Sequence, residues 1–544
     1  MTPVDELPRT WGALLGDLAR SRPHHCAVVA EDASLTFAEM NASARRVAKS
    51  MLALGLRRGD VVALLDGNTS MWIQAFCGAA NIGVVCTPVN TWYQRRELVD
   101  QLRHSKAAAI LAVPTLLRHD YGADLLGAIP TLADAEGRPL HDAALPTLRH
   151  VVSLPGAGHI CGSIGWDTFL AMGEEISEAE LDRAEAEVDI DDVLHILYTS
   201  GSTSRPKGVQ ATHRNSIRNA FCVGERIHLD GDDRFWHSGP LFYGLATVLT
   251  LPATWTHGAT YLLQKTFSAE GALTLIQREA ATAFAGYGNV TRALLQHAAF
   301  ADTDVSSLRK GATGFTREDK RLAAIDLGAR DVVSIYGLTE THGPCATSEA
   351  GDPLDTFLDT QGLLIPGWEA RVVDPGTDTI VPDGQPGELL VRGRMMPGYL
   401  DDPDADASVF TDDGFFRTGD LVKFDLTGRL RFQARAKEVL KVGGINISPT
   451  EVEDLLDEHP DVRQAHVVGV PHPAKGELLV AFVEAAHANL TEGELREFVS
   501  DRAAKFKVPA HILFRTEDQL PRVASGKMPR YVLAQEAQKE LGLL

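Results

Sequence analysis

Short apolar runs rich in β-branched residues alternate, from residue 50 to about 330, with longer stretches of helical period. Asp60-Val61-Val62-Ala63-Leu64-Leu65 and Ile82-Gly83-Val84-Val85-Cys86-Thr87-Pro88 read as strands by length and composition. Met71 to Val89 is uncharged but carries Gln74, Asn81 and Pro88, which predicts a buried helix followed by a strand, not a membrane span. Upstream, Cys26–Ala30 predicts a short strand and Asp32–Leu35 a turn. The run Leu35 to Met40 then opens a helix through about Leu54, with Gly55 placed to end it. The alternation has the lengths of βαβ units, so a mostly parallel sheet is expected. Residues 125–190 are acidic and poor in pattern, and are expected to form loops and surface helices.

Past residue 350 the texture changes. Glu388 to Gly393, Gly414 to Asp420 and Gly428 to Gln433 are short strand patterns separated by turn signals, predicting a small β subdomain. After Arg435 the pattern returns to β-α-β, with a helix from about Pro449 to Glu458 and strands near Ala465–Val470 and Leu478–Glu484. The expected fold is α/β: a large N-terminal domain of βαβ-built sheets with a small β subdomain over residues 1–434, and a small α/β lid over 435–544. The 544 residues are too many for one core.

Charge and cysteine usage narrow the function. A net charge of −21 argues against a nucleic-acid binder and means that a polyanionic substrate must be met by a local basic patch. Six scattered cysteines without a CxxC pair argue against a zinc site or a disulfide framework and suit a reducing compartment. The first ten residues, MTPVDELPRT, hold acids and no apolar core of a secretory signal, so a cytoplasmic location is expected.

The densest chemistry lies in Tyr198 to Gly208, YTSGSTSRPKG, behind the mostly apolar run Val193 to Leu197. Glycine lets backbone N–H groups approach an anion, small hydroxyls add donors, and lysine adds a point charge. The pattern fits a strand feeding a phosphate-wrapping loop; a polar surface turn has the same composition. It is not a Walker A loop, because Lys207 precedes Gly208 and Val209 follows.

Four more stretches follow in order: Tyr336-Gly337-Leu338-Thr339-Glu340, Arg417-Thr418-Gly419-Asp420, Arg435 to Gly444, and Pro521 to Lys527. Together, over more than half the chain, the five motifs resemble the adenylate-forming superfamily of acyl-CoA synthetases, carrier-loading adenylation domains and luciferases. The likeness runs from about residue 30 to 535 and is greatest to an AMP-forming acyl-CoA synthetase. It implies two half-reactions. A carboxylate attacks the α-phosphate of ATP to give an acyl-adenylate and pyrophosphate, and a thiol, that of coenzyme A, then displaces AMP.

By this resemblance Thr199, Ser200, Gly201, Ser202, Thr203 and Lys207 would hold the β- and γ-phosphates, and Glu340 would hold Mg²⁺, a hard cation that favours oxygen ligands. Thr339 would donate to the α-phosphate, Tyr336 would stack on adenine near Gly314, Asp420 would accept from the ribose hydroxyls, and Arg435 would contact ribose or phosphate. Lys527 would be the catalytic lysine, stabilising charge at the five-coordinate phosphorus. Ala436 and Lys437 match the family's hinge, about which the C-terminal lid swings between half-reactions. Lys441, Gly443 and Gly444 would line the path of the thiol arm. Arg502, Lys505, Lys507, Arg522 and Arg530 form a candidate basic rim for CoA phosphates, or a solvated charged face.

Three positions depart from the family pattern. Ser204 stands in place of a glycine in the phosphate loop, Tyr243 stands where histidine is common, and Gly314-Phe315-Thr316-Arg317 replaces Gly-Ala-Ala-Pro. The acid pocket would draw on Tyr243, Gly286 to Asn289 (with Gly288), Gly314, Phe315 and Gly337. Its aromatic rings, with room left at Gly286, Gly288 and Gly314, favour an apolar aryl, alicyclic or medium-chain acid. The expected partners are that acid, ATP and CoA, with no nucleic acid and no membrane span, in a monomer or homodimer. Two other readings stay open: an adenylation enzyme loading a carrier-protein thiol in trans, and a non-catalytic nucleotide or acyl binder on the same fold.

Overall fold

A computed structural model of the protein describes residues 7, 10–199, 206–314, 316–435, 440–442, 445–472, 476–487, 489–503, 505–521 and 528–542. Two large sheets make up most of the body. One has seven strands in the order Lys207–Thr212, Val193–Thr199, Val85–Pro88, Val61–Leu65, Ala109–Ala112, His150–Ser153 and Ile164–Gly165. All neighbours are parallel except the first pair, an antiparallel hairpin that sets Thr199 opposite Lys207. The other has nine strands. A parallel block from Asp331–Leu338 through Lys310–Thr313, Ala283–Gly286, Arg234–His237 and Thr260–Leu263 to Cys26–Val29 is flanked by antiparallel edges.

Local sequence accounts for the elements between them. Thr36 and Glu39 form a reciprocal capping box at the start of the helix Phe37–Ala53, each satisfying the other's backbone N–H, and Gly55 beyond its end takes φ +81. The uncharged helix Ser70–Asn81 is buried on nearly all sides, as its lack of a polar face requires. Trp11, Phe37, Phe76 and Trp255 lock one another edge-on in the core between the sheets, and the Trp255 indole N–H donates to the Ala27 carbonyl at 3.1 Å.

The acidic stretch 125–190 differs from expectation. Besides helices, it holds the strand His150–Ser153, buried and parallel within the seven-stranded sheet beside Ala109–Ala112. Four residues are too few to show a period, and the Pro- and Gly-bearing flanks read as loop.

The β subdomain is a four-stranded antiparallel sheet: Glu369–Val373, Gly387–Arg392, Phe416–Phe424 and Leu430–Arg435. Arg435 pairs with Asp420 inside it, and the next described strand, Leu440–Val442, belongs to the small C-terminal α/β unit. That unit has its own core under the long hairpin Val462–His472/Gly476–Ala485, packed by the helices Pro449–Asp457 and Glu492–Ser500.

The C-terminal unit rests on the helices Gly288–Gln296 and Arg317–Arg321. Arg292 pairs with Glu318 at 3.0 Å and donates to the Gln464 side chain at 3.2 Å, while Gln296 donates to Glu517 at 3.2 Å. Burial in this seam pushes the Asp454 carboxyl up to about 7, against the pull of Lys320 and Arg317. Lys320 donates to three carbonyls, of Phe357, Leu358 and Thr360, and closes the end of the helix Leu354–Asp359. Among the described residues no helix is long and apolar enough to cross a membrane.

Candidate active site

The hairpin Val193–Thr199/Lys207–Thr212 carries Thr199 and Lys207 at the base of its connecting loop. Ser200, Gly201, Ser202, Thr203 and Ser204 lie outside the described residues. So do Phe315, Ala436, Lys437, Gly443, Gly444 and Lys527; of Lys441 only the backbone, in Leu440–Val442, is described.

The strand Asp331–Leu338 delivers Tyr336, Gly337, Thr339 and Glu340 to a turn that returns as Gly343–Thr347. A Cβ on Gly337 would sit 2.2 Å from the Gly343 carbonyl oxygen, so only glycine permits the bulge that aims this turn. Tyr336 is 2 % exposed. Its hydroxyl donates to Asp420 Oδ2 at 2.7 Å and its ring lies 6.1 Å from that of Phe432. Burial and the neighbouring Asp420 charge push its phenol well above the ordinary value. Little of the expected stacking surface is therefore open; Tyr336 serves in this structure to orient Asp420. The other carboxylate oxygen, Asp420 Oδ1, is 2.9 Å from Arg435 Nε, and Asp420 is 1 % exposed.

Glu340 Oε1 accepts from the Tyr399 hydroxyl at 2.9 Å, and the Lys207 ammonium stands 4.6 Å from the centroid of the Tyr399 ring. Tyr399 lies on the segment 394–400, which is stitched to both sides of the cleft. Met396 donates to the Glu340 carbonyl and Leu400 to that of Gly208, at 2.9 and 2.8 Å. Both ring nitrogens of the buried His342 lie 3.0 Å from carbonyl oxygens, those of Arg394 and Gln210. Burial pulls its pKa down to about 4, so at neutral pH one ring nitrogen donates.

On the acyl side, Tyr243 precedes the π-helix Leu245–Thr250, an irregularity common at functional sites. This loop is held from the first sheet: Asn68 donates to the Gly239 carbonyl and accepts from Leu241 N–H, both at 2.8 Å. Trp92 packs against Phe242 and Tyr243 with centroids 5.3 and 5.6 Å away, and 41 % of it remains exposed. One expectation is corrected here. Gly288 and Gly314 do not leave room for the acid. A Cβ on either would strike the Asp319 carboxylate, at 2.3 and 2.1 Å, and Asp319 Oδ1 accepts from Gly288 N–H at 2.7 Å. Burial pushes the Asp319 carboxyl up.

Tyr399, Asn68, Trp92 and Asp319 are thus additions to the sites read from sequence. Gly398 beside Tyr399 was the available sign: its φ is +156, and a Cβ would meet Asp406 at 2.7 Å.

The structure thus joins the lysine of the hairpin and the glutamate of the neighbouring turn through Tyr399, and backs a buried carboxylate with tyrosine and arginine. The AMP-binding enzyme family profile matches residues 17–400, and that of the AMP-binding enzyme C-terminal domain matches 451–527. The chain is 33 % identical over 530 residues to the 3-(7a-methyl-1,5-dioxo-octahydro-1H-inden-4-yl)propanoyl:CoA ligase of Mycobacterium tuberculosis, covering 96 % of this chain and 98 % of that one. It is 29 % identical over 548 residues to the mitochondrial medium-chain acyl-CoA ligase of Rattus norvegicus, covering 98 % and 88 %. ATP-bound MatB from Rhodopseudomonas palustris superposes with a TM-score of 0.79 at 27 % identity, over 97 % of this chain and 99 % of that one. The chain belongs to the AMP-binding enzyme family and is an ATP-dependent, AMP-forming acid–thiol ligase of the acyl-CoA synthetase kind.

Proposed function

We propose that the protein activates an apolar, ring-bearing or medium-chain carboxylic acid with Mg·ATP and transfers the acyl group to CoA, with residues 1–435 binding nucleotide and acid and 436–544 acting as a swinging lid, Arg435 belonging to the last strand of the body rather than to the lid. The observation that carries the nucleotide assignment is the buried Asp420, held by Tyr336 and Arg435, whose carboxylate would accept from the ribose hydroxyls. Lys207, Thr199 and the loop between them would bind the β- and γ-phosphates. Thr339 would donate to the α-phosphate. Glu340, an oxygen donor at the same end of the cleft, suits a hard cation. Mg²⁺ would supply charge neutralisation at the phosphates. Lys527 would stabilise the charge that grows on the α-phosphate as the carboxylate oxygen attacks and pyrophosphate leaves. After the lid swings about Ala436-Lys437, Lys441, Gly443 and Gly444 would line the thiol's path.

The aromatic cluster of Trp92, Phe242 and Tyr243, with Trp92 left partly exposed, favours apolar acids. The relatives' names point the same way, one to a bicyclic propanoyl group and the other to medium-chain acids. The deciding experiment is pyrophosphate release across aryl, alicyclic and straight-chain acids, with and without CoA. Turnover that requires CoA, for apolar acids, is expected. One equivalent without turnover would replace CoA by a carrier-protein thiol, and no release would favour the non-catalytic reading. In the same assay Lys527→Ala should cut adenylation by about 10²–10³-fold yet keep transfer from supplied acyl-adenylate to CoA. Equal loss of both steps would remove Lys527 from the chemistry.

A further inference from the structure

We infer that Tyr399 is a positioning residue that holds the metal-side carboxylate Glu340 and the phosphate-side ammonium Lys207 apart and aimed; the inference rests on the roles proposed above for those two residues. Its hydroxyl donates to Glu340 Oε1 at 2.9 Å, and its ring takes the Lys207 ammonium on its face, 4.6 Å from the centroid. Side chains of opposite charge held on one tyrosine, Lys207 from the edge of the seven-stranded sheet and Glu340 from a turn of the nine-stranded one, would otherwise be drawn into an ion pair, withdrawing one from phosphate and the other from metal. Among the described residues Lys207 pairs with no carboxylate. A tyrosine gives each charge a partner that Mg·ATP can displace: a single hydrogen bond for the carboxylate and a ring face for the ammonium.

The scaffold is built to fix this ring. Tyr399 is 6 % exposed, its N–H donates to Asp406 Oδ1 at 2.8 Å, and its backbone bridges Val209 on the lysine strand. Gly398 admits the Asp406 carboxylate where a Cβ would stand. Asn215 and Gln210, both from the lysine side, donate to the carbonyls of Met395 and Gly398 at 2.8 and 3.2 Å. The Glu340 turn is tied to the same segment through Met396 N–H.

The two halves of the contact can be separated by substitution. Tyr399→Phe keeps the ring under Lys207 and removes the donor to Glu340; Tyr399→Leu removes both. Calorimetric binding of ATP with and without Mg²⁺ reads each half without turnover. Tyr399→Phe should raise the Mg²⁺ concentration for half-maximal tightening by about tenfold and leave Mg-free ATP binding unchanged. Tyr399→Leu should also weaken Mg-free ATP binding. Glu340→Gln and Lys207→Ala are measured beside them. If Glu340→Gln does not move the Mg²⁺ midpoint, the metal role of Glu340 falls and this inference falls with it. If Glu340→Gln moves the midpoint and Tyr399→Phe does not, Tyr399 is packing alone and the inference is overturned while the metal role stands.

Discussion

On the side proposed for the nucleotide, the described carboxylates are each held by another polar group. Asp420 is almost wholly buried, takes a hydrogen bond from Tyr336 and faces Arg435, and Glu340 is capped by Tyr399. The side proposed for the acid is built from aromatic rings in edge-on and tilted contact without hydrogen bonds among them, and Trp92 and Tyr287 stay 41 % and 42 % exposed. The difference follows from what each ligand asks. A ribose and a triphosphate present fixed donors and charges, and a buried polar group left unmatched is costly, so rigid pairing discriminates sharply. An apolar acid presents shape alone, and an open aromatic lip accepts a range of shapes.

The largest expected effect breaks the rigid half. Asp420→Asn should weaken ATP binding by about 10–100-fold, the loss typical of a hydrogen bond to charge, while KM for the acid stays near its starting value. A parallel rise in both would show that the two halves are not separate. A smaller effect probes the open half. Trp92→Ala should change the ratio of kcat/KM between cyclic and short straight-chain acids by about tenfold and leave KM for ATP alone. An unchanged acid profile would place Trp92 outside the substrate's path.

The smallest effect concerns the C-terminal unit, which rests on the helices Gly288–Gln296 and Arg317–Arg321. The Asp454 carboxyl is raised to about 7 by burial in that seam, with Glu453 and Glu458 adding to the rise and Lys320 and Arg317 opposing it. Asp457 beside it is raised as well, by burial and by Glu318, Asp454 and Glu453. A carboxyl whose pKa is higher in the docked state binds its proton more tightly there. Its contribution to docking is therefore complete below its ordinary 3.8 and is lost as pH rises through about 7. Hydrogen-exchange protection of the helix Pro449–Asp457 should fall over that window and fall less steeply in Asp454→Asn. The same slope in both proteins would assign the pH dependence elsewhere.

The parts legible in the sequence were those whose physics is local. The helix opening at Leu35 to Met40, the single strands of the βαβ alternation and each of the five motifs fit within a few residues. Tyr336 and Asp420 were nominated separately, yet their contact spans 84 positions and no spacing rule announces it. Tyr399 lies 59 positions from Glu340, and Asn68 reaches a loop more than 170 positions away. Such residues look like ordinary turn and loop formers until the sheets bring them together. Gly288 and Gly314 show the converse: small residues near a pocket suggested space, but the space was already filled by a carboxylate from a third segment.

The contact between Asp420 and Arg435 has a consequence for signalling within the molecule. Arg435 ends the last strand of the body, immediately before Ala436-Lys437. A ribose that takes up Asp420 competes for the carboxylate that Arg435 now faces, so occupancy of the sugar site is registered one residue from the nominated pivot. Linkage makes the relation mutual: any lid orientation that draws Arg435 away from Asp420 must tighten ribose binding by the same factor by which ribose favours that orientation. With the proposed ribose site and lid, the ion pair would work as a detent, released from either end.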